Sequence, residues 1–128
     1  MTELTLGEGK YSIRLRALGT EGAGLVVFLT GGEHPHLGGV SLAAVPSGDN
    51  AELSRCDTWD VTLPGHKDKE LARCIARQIC LATGEPVSVN AGIHIDNASK
   101  EDIMCLNRLA EEITENFIKQ YKALKKEI

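Results

Sequence analysis

The hydrophobic residues change their spacing along this chain, and that change limits the folds the chain can adopt. In the first half, apolar residues alternate with polar ones or form short runs between glycine-rich turns, which is typical of β-strands. Over residues 66–83 they recur every three or four positions, which predicts an amphipathic helix that Gly84 ends. Strand character returns over 86–95, and a second helix is predicted from Lys100 to near the end, with Ser99 and Asp102 as a capping box.

This order of elements predicts an α+β fold. The first half contains candidate strands at 10–18, 23–30, 38–46 and 51–63, the last of which could be one strand or two. The uninterrupted apolar run 23–30 predicts a central strand, with 38–46 as its hairpin partner. We therefore expect a single domain over residues 1–128, with an antiparallel-rich sheet of about five to six strands and two helices packed on one face.

Composition excludes several classes of function. The net charge is -4 and aromatic residues make up 4% of the chain, which argues against nucleic acid as a partner. No signal peptide is evident, and no apolar run approaches the roughly 20 residues that span a bilayer, so we expect a cytoplasmic protein that does not bind membranes. The four cysteines form no CxxC pair, so a zinc site of paired cysteines is not predicted.

The four histidines are predicted to lie at one end of the sheet. This follows if each element crosses the domain once in alternating directions and 51–63 is a single strand. An additional hairpin within 51–63 would instead send the third histidine to the opposite end. The histidines are His34, His36, His66 and His94.

Two pairs of residues, one of two histidines and one of a histidine and an aspartate, could act together at that end. Pro35 favours an extended backbone, so His34 and His36 should point to the same side. His94 and Asp96 are also two residues apart, and Asp96 could either join a ligand set or orient the His94 ring. Histidines with a carboxylate suit a divalent metal ion, although no compact metal motif is present. The alternative is that these residues only shape their loops through local hydrogen bonds.

An anion could also bind at this end, because both helices are predicted to begin there with free N–H groups. At the first helix, Gly65 allows close backbone approach, and His66 and Lys67 follow it. Glycine pairs at 31–32 and 38–39 could likewise let a ligand lie against the main chain. No nucleophile motif or catalytic carboxylate pair is recognisable, so an enzyme is less favoured than a binding protein.

Three sequence blocks, GGEHPHLGGVSLA, LPGHKDKELA and AGIHIDNASKEDI, resemble in order and spacing the family of the small D subunit of gallate decarboxylase, a prenylated-flavin chaperone. The resemblance implies a fold similar to the small proteasome-assembly chaperones and a tendency to dimerise. It also implies a role beside a large decarboxylase that uses prenylated FMN to decarboxylate hydroxylated aromatic acids. The functional positions implied by the resemblance are His34, His36, Gly38, Pro64, Gly65, His66, His94 and Asp96.

The leading hypothesis is a non-catalytic accessory protein that binds or delivers prenylated FMN to a gallate-type decarboxylase, as a homodimer. One alternative is an assembly chaperone or dimeric interaction module without a cofactor. Another is a metal-dependent enzyme that uses the histidine cluster. The candidate cofactor-binding residues are His34, His36, Gly38, Gly39, Gly65, His66, Lys67, His94 and Asp96.

Overall fold

The computed structural model describes residues 1–46, 55–64 and 69–126. Six strands and two long helices account for most of them, and a short 3₁₀ helix at Gly9–Tyr11 joins the first two strands. In chain order the elements are β1 (Thr2–Leu6), β2 (Ile13–Gly19), β3 (Leu25–Gly32), β4 (Gly39–Ala44), β5 (Asp57–Thr62), α1 (Lys69–Thr83), β6 (Val87–His94) and α2 (Lys100–Lys126). Among the described residues, no helix combines the length and the apolar character needed to cross a bilayer.

The six strands form one mixed sheet in the order β1-β2-β3-β6-β4-β5. Only the pair β3–β6 is parallel, and the other four pairs are antiparallel. The predicted α+β class and the antiparallel-rich sheet are therefore confirmed.

The predicted hairpin between β3 and β4 is wrong. β6 lies between these two strands and hydrogen-bonds to both. In both β3 and β6, buried residues alternate with less buried ones along the strand. At the centre of the sheet, both strands can place their buried residues in the core beneath the helices. β4 instead pairs with β5 as an antiparallel neighbour.

The sixth strand is β1, which the sequence analysis did not predict. It pairs antiparallel with β2, from Thr2 opposite Ala17 to Leu6 opposite Ile13. Its residues alternate between half-buried and exposed, and none is fully buried. An edge strand of this kind gives a weak hydrophobic signal, and the pairing with β2 is what fixes it.

Both helices pack on the same face of the sheet, as predicted. α1 covers β4, β5 and β6, and α2 covers β1 and β2. The helices contribute their apolar faces to the core, with Ala72, Ile75, Ala76, Ile79 and Cys80 from α1 and Leu106, Ala110, Ile113 and Phe117 from α2. Gly84 has φ +74° and its N–H donates to the Cys80 carbonyl at 2.7 Å, which ends α1 as expected.

The N-terminus of α2 is closed by the predicted capping box. The Asp102 N–H donates to Ser99 Oγ at 3.0 Å, and the Ser99 N–H donates to Asp102 Oδ2 at 2.9 Å. The Tyr11 hydroxyl also donates to Asp102, and Lys10 Nζ lies 3.6 Å from it. The Tyr11 hydrogen bond, followed by that of the Ser99 backbone, lowers the pKa of Asp102 to about 2. A carboxylate therefore already occupies this helix start.

Neither of the two described long helices packs on the opposite face of the sheet, which we call the uncovered face. On that face Leu18, Val26, Leu42 and Trp59 lie in one row across the strands, with Ser88 at its centre. The four apolar side chains are between 44% and 58% exposed. Neighbouring exposed apolar side chains of this kind are uncommon on the surface of a monomer.

Candidate functional site

The site lies where β3 and β6 end side by side. Because the two strands are parallel and in register, Gly32 is paired with His94. The segment after β3 then turns onto the end of β6, where the N–H groups of Glu33 and His34 both donate to the His94 carbonyl, at 2.8 and 3.2 Å. The two predicted histidine segments are thus joined by backbone hydrogen bonds before any side chain is considered.

Gly92 allows the histidine loop, residues 33–38, to lie against the sheet. A Cβ atom at this position would lie 1.6 Å from the His36 carbonyl oxygen, which is impossible without moving the loop. The His36 N–H also faces the Gly92 carbonyl at 3.4 Å. Gly92 was not among the predicted site residues, although a lone glycine inside a strand signals a close backbone approach.

Asp96 connects two of the histidines. His34 Nε2 lies 2.9 Å from Asp96 Oδ2, and His94 Nε2 lies 3.0 Å from Asp96 Oδ1. The two imidazole centroids are 5.7 Å apart. A carboxylate can only accept hydrogen bonds, so Nε2 of each ring carries the proton and donates. In the neutral imidazole, Nδ1 of each ring is then a hydrogen-bond acceptor. We call these three residues the histidine–aspartate cluster.

His36 stands beside the cluster and Glu33 supports it. His36 Nδ1 donates to the His34 carbonyl at 2.9 Å, and its ring centroid is 6.2 Å from that of His94. The Asp96 N–H donates to Glu33 Oε1 at 3.1 Å, which ties the loop after β6 to the histidine loop. Glu33 was not among the predicted site residues. Its role depends on the pairing of β3 with β6, which nothing in its local sequence indicates.

The cluster is open to solvent and electrostatically coupled. The side chains of His34, His94 and Asp96 are 60%, 52% and 59% exposed. The hydrogen bond to Asp96, together with its negative charge, raises the pKa of His34 above 6.5. The hydrogen bonds from His34 and then His94 lower the pKa of Asp96 below 3.8. At neutral pH the cluster therefore offers an anchored carboxylate and two accessible imidazole rings.

The cluster is not arranged as a metal site. Within residues 1–46, 55–64 and 69–126, no group of three or more histidine, cysteine, aspartate or glutamate side chains is placed to hold a metal ion. His34 and His94 each direct Nε2 at Asp96, and His36 directs Nδ1 at a carbonyl oxygen. A metal ion would need these donor atoms to converge on one point instead.

A cavity of about 470 Å³ adjoins the histidine loop on the uncovered face of the sheet. Pro35, His36 and Leu37 form one wall, and the side chains of β2 and β3 form the floor. Its volume is within the range of about 300 to 1,000 Å³ typical of small-molecule sites. Its remaining lining residues are Thr5, Ser12, Ile13, Arg14, Arg16, Phe28, Thr30, Gly31 and Gly32.

The other predicted site residues are placed less favourably. Gly38 and Gly39 do not line the cavity: Gly38 donates to the Ala91 carbonyl at 2.9 Å, and Gly39 is part of β4. Pro64 is an exposed turn residue just after β5. The remaining three predicted residues, Gly65, His66 and Lys67, lie outside the described residues.

His34, His36 and His94 lie at one end of the sheet, and His66 lies outside the described residues. The expectation that both helix starts would accept an anion is not met at α2. There the Asp102 carboxylate already accepts from the Ser99 N–H, and Ser99 Oγ accepts from the first-turn N–H of Asp102. A second anion would be repelled by this carboxylate.

The stabilisation of the fold by the His34–Asp96 pair should depend on pH within a defined window. Because the folded pKa of His34 is raised, its stabilisation is present below 6.5 and is lost as pH rises through the folded value. Because the folded pKa of Asp96 is lowered, the stabilisation that its carboxylate contributes is present above pH 3.8 and is lost as the pH falls through the folded pKa. NMR titration should place the His34 pKa above 6.5 in the wild type and nearer 6.5 in Asp96→Asn.

The matched control is Asp57→Asn, which removes an exposed carboxylate from β5. It should leave the His34 titration unchanged. A His34 pKa that is the same in the wild type and in Asp96→Asn would contradict the geometry of the cluster.

The chain is similar to one family of known proteins. No curated protein matches it. The profile of one family, described as the prenylated flavin chaperone LpdD-like domain, matches residues 7–122 of the 128. The match includes every described residue of the cluster, the histidine loop and all of the cavity lining except Thr5. The chain therefore belongs to the family of prenylated flavin chaperone LpdD-like domains.

Proposed function

We propose that this protein is a non-catalytic accessory protein that binds prenylated FMN and delivers it to a partner hydroxyarylic acid decarboxylase of the gallate type. The observation that carries the proposal is a cavity of flavin size lined by His36, whose ring lies 6.2 Å from that of His94 in the histidine–aspartate cluster, in a chain of the prenylated flavin chaperone family. The family supports the accessory role, and the site supplies the groups that would hold the ligand.

The chemistry of the site suits a planar heterocycle. Nδ1 of His34 and of His94 can each accept a hydrogen bond from a ring N–H, while Asp96 holds both imidazoles in place. In the adjoining cavity, Phe28 and Leu37 provide apolar contact for a ring system. Gly31 and Gly32, at the end of β3, also line this cavity, where a ligand could lie against the main chain.

The openness of the site suits delivery. A carrier must release its ligand, so a shallow, solvent-accessible site with few polar contacts is more suitable than an enclosed one. The cluster side chains are at least half exposed, and the cavity opens onto the uncovered sheet face. The residues that touch this space bind and orient the ligand and are assigned no catalytic step.

Calorimetric titration with FMN and with prenylated FMN tests this function. The His34→Ala/His36→Ala variant should bind both at least about tenfold more weakly than the wild type, since it loses two side chains of the site. The matched control, Asn107→Ala/Gln120→Ala, changes two exposed polar residues of α2 and should bind normally. Flavin retention unchanged by the histidine substitutions would refute the site.

We also propose that the protein forms a homodimer through the uncovered sheet face. A twofold axis along the strands at Ser88 would set Leu18 of one protomer against Trp59 of its partner, and Val26 against Leu42. The row of exposed apolar side chains is therefore complementary to itself. The axis reverses the strand order, so β2 lies opposite β5 of the partner and β3 lies opposite its β4.

The size of the face is adequate for a dimer. Six strands spaced by about 4.8 Å and about 20 Å long present roughly 600 Å² before side-chain relief is counted. A standard interface buries about 800 Å² of accessible surface per partner. The apolar row lies near the start of β3 and the cavity lies near its end, so the cavity and the histidine loop lie at the margin of this interface.

Trp59→Lys should convert the dimer to a monomer, because it places a charge in the apolar row. Light scattering coupled to size-exclusion chromatography would measure the mass. Met104→Lys is the matched control, since Met104 is 61% exposed but lies on α2, away from the sheet face. A dimer that survives Trp59→Lys, or a monomeric wild type, would reject this interface and leave the flavin site untouched.

A further inference from the structure

Two arginines line the cavity, and no specific contact with the ligand has yet been assigned to them. Arg14 and Arg16 are two residues apart on β2, so both side chains project from the uncovered face of the sheet. On β3 they lie opposite Thr30 and Phe28. All four residues line the cavity that His36 also borders.

These arginines bring an excess of positive charge to the cavity. Their described ion-pair partner is Glu3, whose two carboxylate oxygens lie 3.6 Å from Arg14 Nε and 3.5 Å from Arg16 Nε. Two guanidinium groups thus share one carboxylate, which leaves one positive charge. Both contacts to the Glu3 carboxylate are made by Nε of the guanidinium group. Terminal guanidinium nitrogens are the donors that bind phosphate oxygens in pairs.

The cavity combines this charge with apolar surface. The Phe28 ring and Leu37 lie in the same space as the arginines, and the hydroxyl-bearing residues Thr5 and Thr30 also line it. A ligand that fits this lining has an anionic group and a large apolar part. Flavin mononucleotide has both, whereas riboflavin has the ring system without the phosphate.

We propose that Arg14 and Arg16 form the phosphate subsite of the flavin site, an inference that rests on the function proposed above. The phosphate lies against the two guanidinium groups on β2. The ring system extends past Phe28 toward His36 and the histidine–aspartate cluster. This subsite differs from the start of α1, where Lys67 was expected to meet an anion, and from the start of α2, where Asp102 is bound.

The test compares FMN with riboflavin in calorimetric titrations of the full chain. The wild type should bind FMN at least about tenfold more tightly than riboflavin, the size expected for charged hydrogen bonds to phosphate. In Arg14→Gln/Arg16→Gln this preference should disappear, while riboflavin binding remains at the wild-type level. Retained riboflavin binding also shows that the variant is folded. Arg77→Gln/Arg108→Gln removes the same charge from exposed helix positions and should keep the preference.

The outcomes separate the two proposals. If FMN binds the arginine variant as tightly as the wild type, or if the wild type binds both flavins equally, the phosphate subsite is wrong and the flavin site stands. If Lys67→Gln abolishes the preference and the arginine variant keeps it, the phosphate lies at the start of α1 and the inference fails. If the wild type binds neither flavin, the proposed function itself fails.

Discussion

The parallel pairing of β3 with β6 is the constraint on which the rest of this structure depends. The register runs from Leu25 opposite Val87 to Gly32 opposite His94, so both strands end at the same level. The segments that follow them are therefore neighbours, although about 60 residues separate them in the chain. A hairpin between β3 and β4 would have left the histidine loop as an ordinary turn with no access to His94 or Asp96.

The consequences of this pairing extend through the site in a fixed order. Backbone hydrogen bonds to the His94 carbonyl position the histidine loop, and the missing side chain of Gly92 lets that loop approach the sheet. Asp96 then lies within reach of two imidazoles, and Glu33 holds the Asp96 backbone. The cluster is thus built on the two central strands, which gives exposed residues a defined geometry.

Local periodicity predicts both long helices and the strands other than β1, whose edge position leaves a weak hydrophobic pattern. The alternating chain direction predicts that His34, His36 and His94 lie at one end of the sheet. The position of β6 could not be predicted, since the choice of strand neighbour depends on contacts between distant segments. The same limitation hid Glu33, whose partner is 63 residues away. Arg14 and Arg16 occupy the polar positions of an alternating strand, where solvent exposure is the ordinary expectation, and only the fold places them in a cavity.

The charge of the cavity is opposite in sign to the net charge of the protein. The net charge is -4, which would repel an anionic ligand at long range. The cavity, in contrast, concentrates two arginines and borders the imidazole of His36. Local charge at short distance outweighs net charge at physiological ionic strength, because the Debye length is about 8 Å. The net negative charge of the protein is therefore compatible with binding of a phosphate-bearing ligand at this cavity.

The most direct test of the central claim is a crystal structure of the protein with bound FMN. We expect the isoalloxazine ring in the cavity beside the histidine loop, within hydrogen-bond reach of the histidine–aspartate cluster. Flavin bound elsewhere, for instance at the cavity formed by Ala23, Glu85 and Tyr121 at the other end of the sheet, would contradict this expectation.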